Sequence, residues 1–141
     1  MIARPWQPGD TDRLIVQPAQ RYTSSLLDSN PDLTPLVQHG MAWTHEHDGE
    51  ILAVGGLAPQ WENRATAFAL LSANAGRRMV TLHRWWNEFL DQCPFRRVEA
   101  YVDVGFEPGI RWVTMSGFEL EAYKRCFRPD GADMLEFVRI K

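Results

Sequence analysis

Apolar residues recur at helical spacing in some parts of this chain and alternate with polar residues in others. The changes between these two patterns predict where each element begins and ends. In the N-terminal part, prolines and glycines interrupt the patterns and keep the elements short. The elements predicted there are a strand at Ile2–Arg4, a helix that Asp10 or Thr11 caps and Pro18 interrupts, and helical stretches at Ala19–Leu27 and Asp32–His39.

From Met41 onward the pattern changes to extended structure. Alternation on both sides of Asp48-Gly49, a preferred pair for a tight turn, predicts a β-hairpin. A loop at Pro59–Arg64 leads to an apolar run that predicts a buried strand, and the turn Arg128–Gly131 is expected to join the last two strands. The predicted strands are Ala42–His47, Glu50–Leu57, Ala65–Ser72, Val98–Val104, Phe118–Phe127 and Met134–Ile140.

A long amphipathic helix is predicted directly after Asn74–Arg78 and ends at Pro94. A shorter helix is predicted at Pro108–Met115. Consecutive helix positions differ by about 100° in direction, so Trp85 lies at the edge of the apolar face that Trp86 occupies. Trp85 therefore either covers a neighbouring loop or anchors a protein contact. The apolar face of the long helix consists of Met79, Leu82, Trp86, Phe89 or Leu90, and Cys93.

Length and charge limit the possible functions. The chain has 141 residues, so one domain spanning residues 1–141 is expected. A net charge of −3, with no dense run of lysine and arginine, predicts no nucleic-acid partner. No segment has the roughly 18 apolar residues that cross a bilayer, and no leader pattern is visible, so we expect a soluble cytoplasmic protein. Cys93 and Cys126 are expected to be buried free thiols.

One pair of histidines has a spacing that metal sites use. His45 and His47 lie two residues apart on a predicted strand and are expected to point to the same face. His39 precedes the same strand, but no cysteine or carboxylate is placed to complete a ligand set. No metal site is therefore predicted.

The order of the elements resembles that of the GNAT N-acetyltransferases over nearly the whole chain. In that order, a strand turns through small residues into a long helix, and Gly117-Phe118 precedes the final pair of strands. The resemblance implies an α/β fold with a mixed, mostly antiparallel sheet and helices on both faces. The sheet is expected to be splayed between the strands Ala65–Ser72 and Val98–Val104.

The GNAT resemblance also implies a cofactor site at the turn that begins at Ser72. In that family the turn follows a Gln/Arg-x-x-Gly-x-Gly/Ala pattern, and its N–H groups hold the pyrophosphate of coenzyme A at the positive end of a helix. Here the pattern retains one glycine, and two arginines follow it, which opposes the helix dipole unless an anion binds nearby. The turn is either a coenzyme A site or only a structural turn with solvated arginines. The implied ligands for acetyl-CoA or coenzyme A are Ser72 and the N–H groups of Ala75, Gly76, Arg77 and Arg78.

Catalytic residues of the family are missing from the matching positions. Val113 stands where the family has the tyrosine that protonates the departing thiolate, and valine has no proton to donate. The strand Ala65–Ser72 contains no acid that could serve as a base. Glu46, Glu62 and Asp103 are the nearest candidates, although each fits a surface carboxylate better. No catalytic residue is assigned, and any acyl transfer is expected to be slow or absent.

A narrower resemblance rests on four short motifs in the same order. They are Pro18-Ala19, Ala53–Gly56, Arg77-Arg78 and Asp130-Gly131. Together they are similar to those of the small GNAT-like internal virion proteins of short-tailed coliphages. This resemblance implies a virion or assembly protein in the host cytoplasm and the virion, with phage structural proteins or a second copy of itself as partners. The alternative is an active acetyl-CoA-dependent N-acetyltransferase that acts on an amine.

Overall fold

The computed structural model describes residues 1–20 and 32–141 of the chain. Most of the helical stretch predicted at Ala19–Leu27 lies outside the described residues. Two short 3₁₀ turns are present, at Pro18–Gln20 and Gly76–Arg78. The strands and α-helices are β1 Ile2–Pro5, α1 Asp10–Arg13, α2 Thr34–Val37, β2 Ala42–His47, β3 Glu50–Trp61, β4 Arg64–Leu71, α3 Met79–Gln92, β5 Arg97–Asp103, α4 Glu107–Met115, β6 Glu119–Lys124 and β7 Met134–Ile140.

The strands form one sheet of seven in the order β1-β2-β3-β4-β5-β7-β6. Strands β4 and β5 are parallel, whereas β1–β2, β2–β3, β5–β7 and β6–β7 are antiparallel. The register of β4 and β5 covers three residue pairs, Arg64–Thr66 against Arg97–Glu99, at the beginning of both strands. The predicted mixed, mostly antiparallel sheet is confirmed.

Residue contacts divide the chain into two compact units. The first unit comprises Met1–Ala58 and Phe68–Leu82, and the second comprises Pro59–Ala67 and His83–Lys141. The single domain expected for the whole chain stays a prediction. The first unit has a core of buried apolar side chains that pack together. These side chains are Trp6, Leu14, Ala42, Ile51 and Val54, with Val16, Leu33, Leu36, Val37 and Leu70 packed around them.

In the second unit, β5 separates an apolar face from a polar face. Val98, Ala100 and Val102 alternate along the strand and are all buried. Helix α4 approaches this face at Gly109, where an added Cβ would lie 2.9 Å from Cγ1 of Val102. The polar residues of β5 therefore lie on the face of the strand opposite α4.

Two predicted loops differ in length from the structure. Strand β3 continues through Pro59 to Trp61, so the turn to β4 is much shorter than the predicted loop. A strand tolerates proline where no N–H is needed for the ladder, and for that reason a proline did not end this one. Strand β6 ends at Lys124, and the connection to β7 is longer than the predicted turn. The carboxylate of Asp133 organises this connection, because it accepts hydrogen bonds from the hydroxyl of Tyr123 at 2.7 Å and the N–H of Cys126 at 2.8 Å.

Two further expectations are corrected. Cys93 is buried as predicted, but Cys126 is exposed because it lies in that longer connection. Helix α1 begins at Asp10, yet the Asp10 side chain does not cap it. The buried carboxylate of Asp10 instead accepts hydrogen bonds from Nη1 and Nη2 of Arg4, at 2.8 and 2.9 Å, and from the hydroxyl of Thr44 at 2.7 Å. This network ties β1 and β2 to the start of α1.

Candidate functional site

The turn between β4 and α3 starts from a tightly held residue of the first unit. Ser72 is buried, forms an isolated bridge with Val16, and donates its N–H to the carbonyl of Leu52 at 2.8 Å. The N–H of Ala73 donates to the carbonyl of Ile15 at 2.9 Å. The beginning of the turn is therefore fixed by hydrogen bonds from two sides.

Two of the four N–H groups predicted to bind an anion are already used within the turn. The N–H of Ala75 donates to the carbonyl of Ser72 at 3.1 Å, and that of Arg78 donates to the carbonyl of Ala75 at 2.8 Å. The bond from Arg78 to Ala75 belongs to the 3₁₀ turn Gly76–Arg78, in which an N–H bonds to the carbonyl three residues before it, and the bond from Ala75 to Ser72 closes the turn that precedes it. The N–H groups of Gly76 and Arg77 have no acceptor among residues 1–20 and 32–141. Of the four predicted donors, these two are therefore the ones left unused within the described residues, and the cofactor site itself stays a prediction.

The side chains of the turn leave space around the two unused donors. Gly76 is exposed, and an added Cβ would meet no atom within 4 Å. Arg77 and Arg78 are both exposed, and a guanidinium nitrogen of Arg78 lies 2.8 Å from Nε2 of His47. Asn74 donates its side-chain amide to Glu50 at 2.6 Å. Two exposed cations and two N–H groups without an acceptor among the described residues therefore lie within three consecutive residues of the first unit, which is a suitable environment for an anion.

Solved structures with the same fold include several that are named as acetyltransferases. Ard1 from Thermoplasma volcanium superposes with a TM-score of 0.71 at 16% identity, with 99% of this chain and 96% of that chain covered. The ribosomal-protein-alanine N-acetyltransferase from Brucella melitensis has a TM-score of 0.69 at 15% identity, and both chains are covered completely. A GNAT family acetyltransferase from Elizabethkingia anophelis, with acetyl-CoA bound, has a TM-score of 0.63 at 13% identity, with 99% and 97% covered. The chain has the GNAT fold.

No protein-family model and no curated protein sequence matches this chain. The order of elements predicted the GNAT fold, and the solved structures support it. At these sequence identities, the similarity shows a shared fold and nothing more. None of the three structures is described as a virion protein. The similarity to internal virion proteins therefore stays a prediction.

In this GNAT fold, the helix that carries Val113 has the local geometry that the motif predicted. The carbonyl of Val113 accepts the N–H of Phe118 at 3.0 Å, and Gly117 has a φ of 83°, a left-handed conformation that glycine adopts readily. This arrangement ends α4 and turns the chain into β6. The half-buried Val113 side chain offers no proton for a leaving thiolate.

Two of the three candidate bases are paired with arginines. Glu46 lies 3.3 Å from a guanidinium nitrogen of Arg4, and Asp103 lies 2.6 Å from one of Arg128. Glu62 is exposed in the turn between β3 and β4. Lone pairs that are engaged by a guanidinium are poorly available to accept a proton from an amine.

Sequence reasoning missed a cluster of buried carboxylates in the second unit. Glu99 on β5 is 1% exposed, and its carboxylate is bonded by Arg64 and lies 3.7 Å from Nε of Arg97. Glu136 on β7 is 6% exposed and lies 3.5 Å from Nζ of Lys124. The alternation of polar and apolar residues along β5 was the available signal, because it places the polar ones on the same face.

Tyr101 belongs to this polar face and does not replace the missing tyrosine. Its hydroxyl donates to Glu136 at 3.0 Å, and burial, together with this carboxylate, raises the pKa of Tyr101 to about 12. A hydroxyl that already donates to a carboxylate is a poor general acid near neutral pH. Tyr101 also lies on the face of β5 opposite the one that α4 covers, whereas the missing tyrosine would come from α4.

The two histidines of the predicted pair differ in burial rather than in the face of β2 that they occupy. The register of β1 against β2 passes through His45 and Glu46 without a shift, and the extra residue at the irregularity between β2 and β3 is Leu52 on β3, so the alternation along β2 is kept. His45 is fully buried, whereas the side chain of His47 is 31% exposed. Within the described part of the chain there is no group of three metal-ligating side chains. No helix in that part is long and apolar enough to cross a membrane.

Trp85 is half-buried on α3 and contacts two aromatic residues of its own helix. Its ring stacks on Phe89 with centroids 5.4 Å apart, and it meets Trp86 edge-on at 5.0 Å. These contacts explain how a second tryptophan is accommodated beside the buried Trp86. An intermolecular contact by Trp85 stays a prediction.

Proposed function

We propose that this protein binds coenzyme A or acetyl-CoA at the turn Ser72–Arg78 and transfers an acyl group slowly or not at all. The observation that carries the first half is that the N–H groups of Gly76 and Arg77, at the start of the helix, have no acceptor in the part of the chain that the structure describes. Oriented backbone N–H groups at a helix start attract anions, and Arg77 and Arg78 add two positive charges. The GNAT fold supports placing the pyrophosphate there.

The second half rests on the side chains that the chain offers for chemistry. Val113 cannot protonate a thiolate, and the candidate bases Glu46 and Asp103 are paired with arginines. A general acid or base typically contributes a factor of about 10² to 10⁴ in rate. Without them, a bound acyl-CoA retains mainly the advantage of proximity to an acceptor. A role in a virion or in assembly, which the sequence motifs imply, does not require acyl transfer faster than proximity alone would give.

Calorimetric titration with coenzyme A and acetyl-CoA at low salt tests the binding site. We expect binding that weakens with added salt, because the contacts are between charges at an exposed surface. Arg77→Ala should weaken binding about tenfold, and Arg78→Ala similarly, since a hydrogen bond to a charged group contributes roughly 1.5–3 kcal/mol. Arg84→Ala, which removes an exposed arginine further along α3, is the control and should leave the affinity unchanged.

Two results would contradict this proposal in different ways. If no heat is observed with either ligand, coenzyme binding is wrong, and the virion or assembly role becomes the leading hypothesis. If wild-type protein binds but both arginine variants bind equally well, the pyrophosphate lies elsewhere on the molecule.

Restoring the missing acid tests the catalytic half. We expect Val113→Tyr and Val113→Phe to show the same low release of coenzyme A from acetyl-CoA with a mixture of amines, within about twofold. Phenylalanine matches tyrosine in size but lacks the hydroxyl, so a difference between the variants isolates proton donation. A gain of tenfold or more in the tyrosine variant over the phenylalanine variant would show that the site is still built for catalysis.

A further inference from the structure

Two charged neighbours of His47 compete for the same ring nitrogen, one when Nε2 has no hydrogen and the other when it carries one. Nε2 of His47 lies 2.8 Å from a guanidinium nitrogen of Arg78 and 3.3 Å from Oδ2 of Asp48. A guanidinium is always charged and only donates, so Nε2 can bond Arg78 only through a free lone pair. A carboxylate only accepts, so Nε2 can bond Asp48 only when it carries a hydrogen. The two bonds to this one nitrogen therefore exclude each other.

We propose that His47 is a positioning residue that holds Arg78 against β2 when its ring is neutral and releases Arg78 to a bound anion when the ring takes up a proton. In the neutral state the ring hydrogen is on Nδ1, and Nε2 accepts from Arg78. In the protonated state Nε2–H donates to Asp48, and the two cations repel each other. A histidine changes between these states over the range in which most proteins function.

The other charged groups around His47 have partners of their own. His47 is at the end of β2, opposite Glu50 on β3, and the register of β1 ends one residue earlier, at Glu46. Asp48 is 88% exposed in the hairpin turn, so it is free to reorient toward a protonated ring. Among the described residues, three further charged side chains near the hairpin are engaged: Glu50 is bonded by Asn74, Glu46 is paired with Arg4, and Arg13 donates to the carbonyl of Gly49. The competition at Nε2 is therefore between Arg78 and Asp48.

The consequence for ligand binding rests on the proposed function. Arg78 belongs to the surface where Gly76 and Arg77 present their unused N–H groups. When His47 is neutral, one hydrogen-bond donor of Arg78 is occupied by the ring. When His47 is protonated, that donor becomes available and a further positive charge lies beside the turn. Anion binding should therefore strengthen as the pH falls.

The state of the ring is measured without any ligand, by ¹⁵N NMR of the histidine side chains. At pH 8 we expect His47 of the wild-type protein to carry its hydrogen on Nδ1, because Arg78 occupies Nε2. In Arg78→Met, which has no side-chain donor, the hydrogen should move to Nε2, where Asp48 can accept it. A hydrogen on Nε2 in the wild-type protein at pH 8, or no change in Arg78→Met, would overturn the proposal.

The effect on binding is measured with dephospho-coenzyme A, whose pyrophosphate keeps the same charge between pH 5.5 and pH 8. We expect wild-type affinity to be about tenfold higher at pH 5.5, the size of one charge-assisted hydrogen bond. His47→Gln should change less than twofold over the same range, whereas His39→Gln, an exposed histidine outside the hairpin, should behave like wild type. Equal pH dependence in wild type and His47→Gln would overturn the proposal. If dephospho-coenzyme A does not bind at any pH and neither coenzyme A nor acetyl-CoA gives heat, the proposed function is wrong, and the NMR result alone decides whether His47 controls Arg78.

Discussion

Gly56→Ala is expected to lower the free energy of unfolding by about 4 kcal/mol or more. An added Cβ at this position would lie 1.9 Å from the carbonyl oxygen of Met41 and 3.0 Å from Cα of Ala42. Both atoms belong to the backbone, and the Met41 carbonyl also accepts the N–H of Leu57 at 2.9 Å. Ordinary overpacking by a methyl group costs roughly 1–3 kcal/mol, but here β2 would have to move away from β3 and lose that hydrogen bond.

Gly76→Ala is the matched control for this substitution. Gly76 has open space around its added Cβ and lies in the first turn of a helix, where alanine is favourable. Chemical denaturation of both variants gives the comparison, with Gly76→Ala expected within about 0.5 kcal/mol of wild type. A loss under about 1 kcal/mol for Gly56→Ala would show that β2 and β3 do not approach each other as closely as the structure indicates.

A fall in stability below neutral pH is the second large effect, and His45 is its source. His45 is fully buried on β2, and burial lowers its pKa to about 4 from the ordinary value of 6.5. Between these two values the unfolded chain binds a proton that the folded chain does not, so folding stability decreases as the pH falls from 6.5 toward 4. The difference corresponds to about 3 kcal/mol when the pH reaches 4.

The measurement is the free energy of unfolding in urea at pH 7 and pH 4.5. His45→Gln should lose this part of the pH dependence, even if the variant is less stable at both pH values. His47→Gln, which removes the partly exposed histidine two residues later, should keep it. If the free energy of unfolding falls by the same amount between pH 7 and pH 4.5 in the wild-type protein and in His45→Gln, the assignment to His45 is contradicted.

Local sequence patterns predicted most elements of the fold because these elements depend on neighbouring residues. Asp48-Gly49 forms the tight turn of the hairpin, with φ values of 50° and 80°, as its residue types favour. The apolar face of α3 was predicted from spacing alone, and Leu82, Trp86 and Leu90 are buried. The end of β3 was not predicted, because whether a proline interrupts a strand depends on the partner strand's hydrogen bonds.

The sequence by itself determined the order of the elements, the mixed sheet, and a small-residue turn with two arginines before a long helix. Only the tertiary structure decided which N–H groups of that turn lack an acceptor among the described residues, since those of Ala75 and Arg78 are used within the turn. It also decided that Arg78 meets His47, a residue 31 positions away on another element. Contacts of this kind depend on how strands and turns are placed in space. Local residue patterns do not predict the distance between two residues that are far apart in the sequence. The burial of Glu99 has the same origin, because Arg64 is brought to it by strand pairing rather than by sequence proximity.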